Sequence, residues 1–361
     1  MSKLPKLFGA DKKGGYKVWD VYSLGDTVFV THGKLDGKQQ TRETICKGKN
    51  LGRSNETTPE VQAWNEAQSK WKKQVDKYYR ETLKAVDELS TEGVMLAQDY
   101  TKKPHYLEEE FQISPKLDGL RVKTVFEDGE PVWKSRGDKI YPVPKHLVEE
   151  LKAINKAGFS SIDGEAYIHG VKLQKIQSCV KKTNDLTSEV TYQVFDLPSP
   201  HKWSDRLLQL QSLKSLTDSL KMVNVVEQEY CTKSGLDKKL QSYLDDGYEG
   251  AMMRNLNGLY AFQNKRSNDL LKYKLFKDSE AKVIGCRIDK NKEGVLLCEW
   301  QGVQVEMKMK GDHAFRCYES QKKLIGSFIN FTYQDLSEDG VPSFAVGQYV
   351  RDCDEEGNPL N

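Results

Sequence analysis

The sequence has 361 residues, 30% of them charged, with a formal net charge of only +2, and it predicts a globular protein of two or three domains. No apolar run approaches the roughly 18 residues of a membrane-spanning helix, so we expect no helical membrane span. The seven cysteines are scattered and never spaced Cys-x-x-Cys, which argues against a zinc site or a disulfide framework and predicts a reducing cytosol.

Residues 1–88 are basic, with 17 Lys and Arg against 12 Asp and Glu, a net charge of +5. Such an excess suits a phosphate-binding surface, although it is equally typical of plain solubility. Turn signals at residues 24–26 and 36–37 separate three predicted strands, at 16–22, 27–34 and 40–45.

A long helix is predicted after these strands. Thr57-x-x-Glu60 is a capping-box pattern, and Pro59 favours the first helical turn. A stripe with helical spacing follows, apolar apart from one glutamine, and comprises Val61, Trp64, Gln68, Trp71, Val75 and Tyr78. We expect the two tryptophans to pack in a core and not to stack on nucleic-acid bases.

From about residue 89 the pattern changes to alternating strands and helices. Strands are predicted at 120–126, 131–136, 161–168, 190–196, 223–230, 249–254 and 272–276, and helices at 144–157, 204–220 and 236–246. Short strands then predominate from 281 to 347, with one helical interruption at 313–323. Such a β unit of five strands is typical of a small Greek-key barrel of the oligonucleotide-binding (OB) type.

The most informative stretch is residues 113–121, which contains the pattern Lys-x-Asp-Gly-x-Arg. Asp-Gly favours a tight turn, so Lys116 is predicted near the start of a turn that leads into the strand at 120–126. The nearby cation Arg121 and partial burial would lower the pKa of the lysine. It could then attack an electrophile such as a nucleotide α-phosphate. Taken alone, the pattern also suits a solvent-exposed hairpin with two surface cations.

Four later segments carry the chemistry that a nucleotide site requires. Glu165 follows a turn and could accept from a ribose hydroxyl or hold Mg²⁺, and Phe195 near the end of a strand could stack on a base. Glu249 precedes an apolar strand. Lys272 and Lys274 alternate onto one face of a strand, where two ammonium groups could clamp a phosphate. Each feature alone has an ordinary structural explanation, but their combination favours a nucleotide site.

Together these motifs resemble those of ATP-dependent DNA ligases of the bacteriophage and bacterial type. That family lies within the lysine nucleotidyltransferase superfamily, which also includes RNA ligases and mRNA capping enzymes. The resemblance runs from about residue 95 to the C-terminus. It implies an α+β fold in which an adenylation (ATP-grasp-like nucleotidyltransferase) domain of mixed and antiparallel sheets and helices, 89–276, is followed by an OB-fold β-barrel, 277–361. A small sheet-plus-helix domain, 1–88, precedes both.

The resemblance assigns roles to individual residues. Lys116 would be the nucleophile that accepts AMP as a phosphoramidate, Phe195 would stack on the purine, and Glu165 and Glu249 would bind the metal. The residues implied to contact the nucleotide cofactor are Ser114, Lys116, Arg121, Arg136, Glu165, Phe195, Arg206, Lys272, Lys274 and Arg351.

Two positions depart from the family pattern. Many ATP-dependent ligases have a Glu two residues before the nucleophile, where it reads the adenine amino group, and here that position is Ser114. Adenine selection would then fall to backbone groups or to Gln112. The Arg-x-Asp-Lys motif that ends the family's barrel is represented only by Arg351 and Asp352, with Cys353 and Asp354 after them.

The front sheet and helix resemble, more loosely, the WGR domain of DNA-break-binding proteins. Residues 31–39 stand where that family has its Trp-Gly-Arg signature, but neither the Trp nor the Arg is present. The resemblance implies a DNA-binding role for residues 1–88.

The ligase resemblance implies an enzyme that uses ATP and Mg²⁺, with Mn²⁺ as a substitute, to seal 5′-phosphate/3′-hydroxyl nicks in duplex DNA. We expect a cytoplasmic monomer that encircles its DNA, has no membrane partner and acts in replication, repair and recombination. An RNA ligase or another nucleotidyltransferase with the same lysine chemistry is the alternative. A catalytically silent DNA-break-binding module is a third hypothesis, against which the intact Lys116, Glu165 and Glu249 argue.

Overall fold

The computed structural model describes residues 2–11, 14–89, 91–337, 339–354 and 360. They fall into two compact units, Met1–Tyr273 and Lys274–Asn361. The first unit contains three β-sheets and the second a closed barrel. Within the described ranges, no helix is both long and apolar enough to cross a membrane.

The first sheet is antiparallel, and its strands confirm the three predicted in this region. Its order is β1-β3-β4-β5, and β2 also pairs with β3, along residues 16–19, whereas β1 pairs with residues 22–23. The following helix is capped by Thr58, whose hydroxyl accepts from the Val61 backbone N at 3.3 Å, and not by Thr57 as predicted. The elements are β1 (Ser2–Lys3), β2 (Leu7–Ala10), β3 (Tyr16–Leu24), β4 (Thr27–Lys34), β5 (Gln39–Ile45), α1 (Pro59–Val75) and α2 (Leu83–Glu88).

Helix α1 packs against this sheet with a narrower face than predicted. Val61 and Gln68 of the expected stripe are exposed. Trp64 and Trp71 pack against the small core as expected, and Trp71 Nε1 also donates to the Pro5 carbonyl at 2.8 Å. Small side chains let the helix approach the strands closely. The buried residues of α1 are Gln62, Ala63 and Ala67.

Beyond α2, the described residues of the first unit form two further sheets and four α-helices. The strands are β6 (Leu96–Asp99), β7 (Glu110–Lys116), β8 (Leu120–Glu127), β9 (Glu130–Lys134), β10 (Ile140–Tyr141), β11 (Ser161–Tyr167), β12 (Thr191–Asp196), β13 (Val223–Val225), β14 (Glu229–Thr232), β15 (Gly250–Asn255) and β16 (Arg266–Tyr273). The helices are α3 (Val148–Lys156), α4 (Leu173–Lys181), α5 (Trp203–Thr217) and α6 (Leu236–Asp245).

These strands form a six-stranded sheet, β10-β9-β8-β11-β12-β13, and a five-stranded sheet, β14-β7-β15-β16-β6. Most pairs are antiparallel, whereas β12 with β13 and β16 with β6 are parallel. Consecutive strands β7 and β8 belong to different sheets, so the short segment 117–119 joins the two. The confirmed fold class is therefore a mixture of α-helices with largely antiparallel sheets.

Two predicted strands differ from the structure, and helix α4 is an element that the sequence patterns did not predict. The single strand expected at 223–230 is two strands in different sheets, β13 and β14, because the chain crosses between the sheets at 226–228. The strand expected at 272–276 is wrong: β16 ends at Tyr273, so Lys274 does not share a strand face with Lys272. Helix α4 was not predicted, although its buried Ile176, Cys179 and Val180 have helical spacing.

The second unit is a closed barrel of five strands in the order β17-β18-β19-β21-β20. Its core is largely apolar and includes Trp300, Phe331 and Tyr333. The count of five strands agrees with the sequence pattern, and the first strand begins at Lys277, four residues before the predicted β region of 281–347. The elements are β17 (Lys277–Ile288), β18 (Gly294–Trp300), β19 (Val303–Met309), α7 (Tyr318–Gln321), β20 (Phe328–Tyr333) and β21 (Val346–Arg351).

Candidate active site

Lys116 lies where the two larger sheets of the first unit meet. It is the last residue of β7 and stands opposite Gly250 of β15, which brings the preceding residue, Glu249, beside it. The Glu249 backbone N donates to the Lys116 carbonyl at 3.0 Å. Lys116 Nζ also makes a close ion pair with the Glu249 carboxylate. The strand pairing therefore fixes a carboxylate next to the predicted nucleophile.

Glycine is required at position 119, in the turn after Lys116, because a side chain there would clash with neighbouring atoms. The backbone of Gly119 is not in the left-handed region. A Cβ on Gly119 would lie 2.6 Å from the Ala166 carbonyl oxygen and 2.6 Å from Glu165 Cγ. Glycine thus lets β8 begin in close contact with β11, in a register that places Arg121 opposite Glu165. The turn brings Lys116 and Glu165 into one site.

Burial in the cleft between the sheets disfavours the charged forms of both groups. The pKa of Lys116 is lowered by burial, against the opposing charges of Glu165 and Asp118. Burial raises the pKa of Glu165 to about 7, although the charges of Lys116 and Arg121 oppose the rise. A neutral amine is the nucleophilic form of lysine, so the cleft favours the reactive state.

Arg121 is held by protein groups. Its guanidinium pairs with Asp163, with Nε to Oδ1 at 3.0 Å, and donates through Nη1 to the Met95 carbonyl at 2.8 Å. The Tyr260 hydroxyl donates to Asp163 Oδ2 at 2.6 Å. Sequence reasoning missed Asp163 and Tyr260 as part of the site, although Asp163 lies in the same short motif as Glu165.

Two guanidinium groups lie close to the ring of Phe195. Arg121 Cζ is 5.2 Å and Arg254 Cζ is 5.8 Å from the centre of its ring. Strand alternation and pairing place Arg121, Glu165 and Phe195 on one face of the six-stranded sheet. The five-stranded sheet contributes Arg254, which was not predicted. Its position, five residues after Glu249 at the far end of the same strand motif, was the available signal.

Arg206 takes no part in lining the cleft that holds Phe195. Its side chain is 1% exposed and pairs with Asp196, with Nε to Oδ1 at 2.8 Å. Nη1 donates to the His201 carbonyl at 2.7 Å and to the Gly258 carbonyl at 3.2 Å. These contacts tie α5 to the end of β12. They suit a residue that positions the strand next to Phe195 better than one that touches a nucleotide.

Ser114, Lys272 and Arg136 surround the lysine at different depths. Ser114 is 1% exposed, and it lies on the Lys116 face of β7 opposite Met252. Lys272 pairs with Met252 from the other side, and burial together with the charge of Lys116 lowers its pKa. Arg136 is exposed, and its charge is among those that lower the pKa of Lys116.

Two further predicted nucleotide contacts belong to the second compact unit. Lys274 is the first residue of that unit. Arg351 is the last residue of β21 and donates to the Tyr349 hydroxyl at 2.9 Å. Their part in the reaction stays a prediction.

The carboxylates near Lys116 suit a divalent ion that is also bound by substrate. Among the residues that the structure describes, no group of three or more His, Cys, Asp or Glu side chains could hold a metal by itself. Mg²⁺ is commonly bound by one or two carboxylates together with substrate phosphates. Glu249 contacts Lys116, and Glu165 acts electrostatically on it, so the pair fits this arrangement.

A family model described as "ATP dependent DNA ligase domain" matches residues 94–274. Among curated relatives, a DNA ligase of African swine fever virus is 30% identical over 295 residues, which cover 76% of this chain and 66% of the relative. A DNA ligase of another isolate of that virus is 29% identical over 294 residues, with the same coverage. The chain thus spans slightly less than two thirds of these relatives.

Solved structures give a matching picture. A chain from a structure–function study of Lig E DNA ligases is 27% identical and has a TM-score of 0.59. The match covers 72% of this chain and 99% of the Lig E chain. A chain named Pmar-Lig_Pre has a TM-score of 0.64 at 21% identity, covering 73% of this chain and 68% of its own length, and supports the fold alone.

Proposed function

The chain belongs to the ATP-dependent DNA ligase family, and we propose that it seals 5′-phosphate/3′-hydroxyl nicks in duplex DNA through a covalent lysine–AMP intermediate. The observation that carries the proposal is the state of Lys116. Its amine is buried between two sheets, is paired with Glu249 and has a lowered pKa. A nucleotidyltransferase needs a lysine of this kind.

The proposed reaction has three phosphoryl transfers. The neutral Lys116 amine attacks the α-phosphate of ATP, a P–N bond forms and pyrophosphate leaves. The AMP then passes to the 5′-phosphate of the nick, and the 3′-hydroxyl displaces AMP as the phosphodiester forms. Negative charge collects on the non-bridging oxygens throughout, so Lys272, Lys274 and Arg136 would stabilise the transition states electrostatically.

Other residues would orient the nucleotide. Phe195 would stack on the purine. Arg121, which is held in place by Asp163, would lie beside the ribose. Glu165 and Glu249 would hold Mg²⁺, which neutralises phosphate charge when it is bound. Arg351 would act on the leaving pyrophosphate, and Arg206 would position β12. The close pairing of Arg121 with Asp163 supports the role proposed for Arg121, because it fixes the position of the guanidinium.

The proposal divides the chain into three functional parts. Residues 1–88 would be a WGR-like domain that adds DNA affinity, 89–276 the adenylation domain and 277–361 an OB-fold domain. Together the parts would form a monomer that encircles nicked duplex DNA. The cysteines that the structure describes are all free, which suits a reducing cytoplasm.

Incubation of the full-length protein with α-labelled ATP or GTP, followed by nicked DNA, nicked RNA or single strands, tests the proposal. We expect an acid-labile AMP adduct from ATP and joining of nicked DNA. Adduct formation from GTP, or joining of nicked RNA alone, would favour another nucleotidyltransferase.

Replacement of the nucleophile tests its assignment. Lys116→Ala should abolish both the adduct and sealing from ATP, because it removes the attacking amine. An acid-labile AMP adduct retained by this variant would overturn the choice of Lys116. Lys123→Ala, at a lysine of β8 whose Nζ pairs with Glu92 at 3.5 Å, is the control and should keep the adduct.

A further inference from the structure

Buried polar atoms without partners cluster on the sheet face that carries Lys116. Gln112 Oε1, Gln228 Oε1, and both Nε and Nη1 of Arg254 are buried and have no hydrogen-bond partner among the described residues. Gln112 lies on the same face of β7 as Ser114 and Lys116, because side chains alternate along a strand. Four unpaired atoms on three side chains therefore belong to one region.

Strand pairing brings these three side chains around Ser114. Arg254 of β15 stands opposite Gln112 of β7, and Met252 stands opposite Ser114. On the other side of β7, Glu229 of β14 pairs with Ile113, so one further step in that register places Gln228 beside Ser114. Diagonal neighbours in an antiparallel sheet are about 7–8 Å apart, which two glutamine side chains can span.

The same group of side chains adjoins the aromatic ring of Phe195. Arg254 Cζ is 5.8 Å from the centre of that ring. The Val226 backbone N donates to the Val194 carbonyl at 2.8 Å, so the segment 226–228, which follows β13 and carries Gln228, begins beside the residue that precedes Phe195. A base stacked on Phe195 would have its edge near these polar atoms.

Structural contacts account for only part of this set. Buried polar groups in folded proteins are nearly always hydrogen-bonded, because an unpaired one is costly. Arg254 is 3% exposed and forms an ion pair with Asp196, with Nε to Oδ2 at 3.6 Å, which is longer than a hydrogen bond. Its Nη1 has no hydrogen-bond partner among the described residues, and neither has Oε1 of Gln112, which stands opposite it on β7. The two glutamine oxygens can accept hydrogen bonds and the Arg254 guanidinium can donate one. This combination complements the edge of a base on which an amino group lies next to an unprotonated ring nitrogen.

We propose that Gln112 and Gln228 accept hydrogen bonds from the 6-amino group of adenine, and that Arg254 donates to the adjacent ring nitrogen. This set would replace the glutamate that many ATP-dependent ligases have at the position of Ser114. The inference rests on the proposed function and names the residues that select its nucleotide.

Purine riboside triphosphate separates the two kinds of contact, because it lacks the 6-amino group of ATP and keeps the ring nitrogen. The rate of lysine–nucleotide adduct formation in the full-length protein is measured with each at subsaturating concentration. We expect the wild type to prefer ATP by at least about tenfold, and Gln112→Leu and Gln228→Leu each to reduce this preference by about threefold to tenfold. Arg254→Met should slow both nucleotides alike.

The Gln112→Leu variant should fold with a melting temperature, without nucleotide, equal to or above that of the wild type, because leucine removes an unpaired carbonyl without opening a cavity. Gln228→Leu also removes the hydrogen bond from Gln228 Nε2 to the Val226 carbonyl at 3.1 Å, so its melting temperature should be slightly below that of the wild type. Gln321→Leu is the matched control: Gln321 is fully buried in the second unit with an unpaired Oε1 of its own, and its replacement should leave the ATP preference unchanged.

An unchanged preference for ATP in the Gln112→Leu/Gln228→Leu double variant, with adduct formation intact, would overturn the inference and leave the proposed function standing. Absence of any adduct from the wild-type protein would instead overturn the proposed function. A preference near unity in the double variant, with the wild-type preference retained by Gln321→Leu, would support base recognition by the two glutamines.

Discussion

Two ionisable residues of the site are buried in a way that opposes their charged forms. Burial lowers the pKa of Lys116 and raises that of Glu165 to about 7. A carboxyl whose pKa is higher in the folded state than in the unfolded state binds protons more tightly when folded. The folded protein therefore loses stability as pH rises from the unfolded pKa, about 4.5, through the folded pKa, about 7.

Glu165→Gln should therefore stabilise the protein in a pH-dependent manner, because glutamine does not titrate. The difference in unfolding free energy between variant and wild type should grow from pH 5 to pH 8, by at most about 3 kcal/mol. Urea denaturation at several pH values measures this difference. A constant or shrinking difference would contradict the raised pKa. Adenylation should fall in the same variant, because the carboxylate that we propose to bind the ribose or the metal is lost.

Gly119→Ala tests the close contact between β8 and β11. The added Cβ would lie 2.6 Å from backbone and from Glu165 Cγ, so Glu165 must move or the strands must separate. We expect a loss of about 1–3 kcal/mol in stability and at least about tenfold slower adduct formation. Gly235→Ala is the control, because its Cβ would have only ordinary contacts, the nearest at 3.5 Å. Equal behaviour of the two variants would show that the contact is unimportant.

At the scale of elements, α5 and β12 are joined by a buried ion pair. Arg206 pairs with Asp196 at 2.8 Å, and Arg254 approaches the same carboxylate at 3.6 Å. Burial raises the pKa of Asp196, but the two arginines outweigh it and leave the pKa below its usual value. The carboxylate therefore remains charged at neutral pH, and it depends on Arg206 for compensation.

Arg206→Leu should cost about 3–5 kcal/mol of unfolding free energy, because it leaves the buried Asp196 carboxylate with the longer ion pair to Arg254 and one hydrogen bond from the Leu197 backbone N. Denaturant unfolding measures the cost, and ATP binding by the remaining folded protein should weaken only modestly. Gln209→Ala, at an exposed position of the same helix, should change neither quantity. Lost ATP binding with unchanged stability would make Arg206 a direct nucleotide contact after all.

On the scale of the whole molecule, charge is unevenly distributed along the chain. Residues 1–88 carry a net charge of +5 while the complete chain has +2. The strand β5, at the edge of the front sheet, is exposed along its whole length. Lys34, Lys38 and Arg42 lie exposed on the β4–β5 hairpin or its turn. This hairpin is the part of the front domain that we expect to contact DNA phosphates.

Replacement of Lys34, Lys38 and Arg42 by glutamine in the full-length protein should weaken DNA binding by about tenfold at moderate salt. The slope of log affinity against log salt should fall by up to about 3, because each phosphate contact contributes about 0.9. Binding titrations across a salt series measure both effects. Adduct formation from ATP requires no DNA and should remain normal. An unchanged salt slope would place the DNA contacts elsewhere.

The nucleophile motif and most strands could be predicted from the sequence because their signals are local. Residues 116–121 contain the predicted nucleophile, a turn and a cation in one stretch, and β19 alternates apolar and polar residues along its length. The predicted residues Lys116, Glu165 and Glu249 act on one another electrostatically or by direct contact, and Arg121 links Glu165, its strand partner, to Phe195.

Contacts between distant segments were decided only by the tertiary structure. Nothing local to 223–230 indicates that the chain leaves one sheet for another there, because both halves have strand propensity. Arg206 and Arg254 have the same chemistry in sequence, yet one is fully bonded to Asp196 and two carbonyls while the other retains unpaired N–H groups. Whether a buried cation is bonded depends on the partners that folding brings to it, and those partners are far away along the chain.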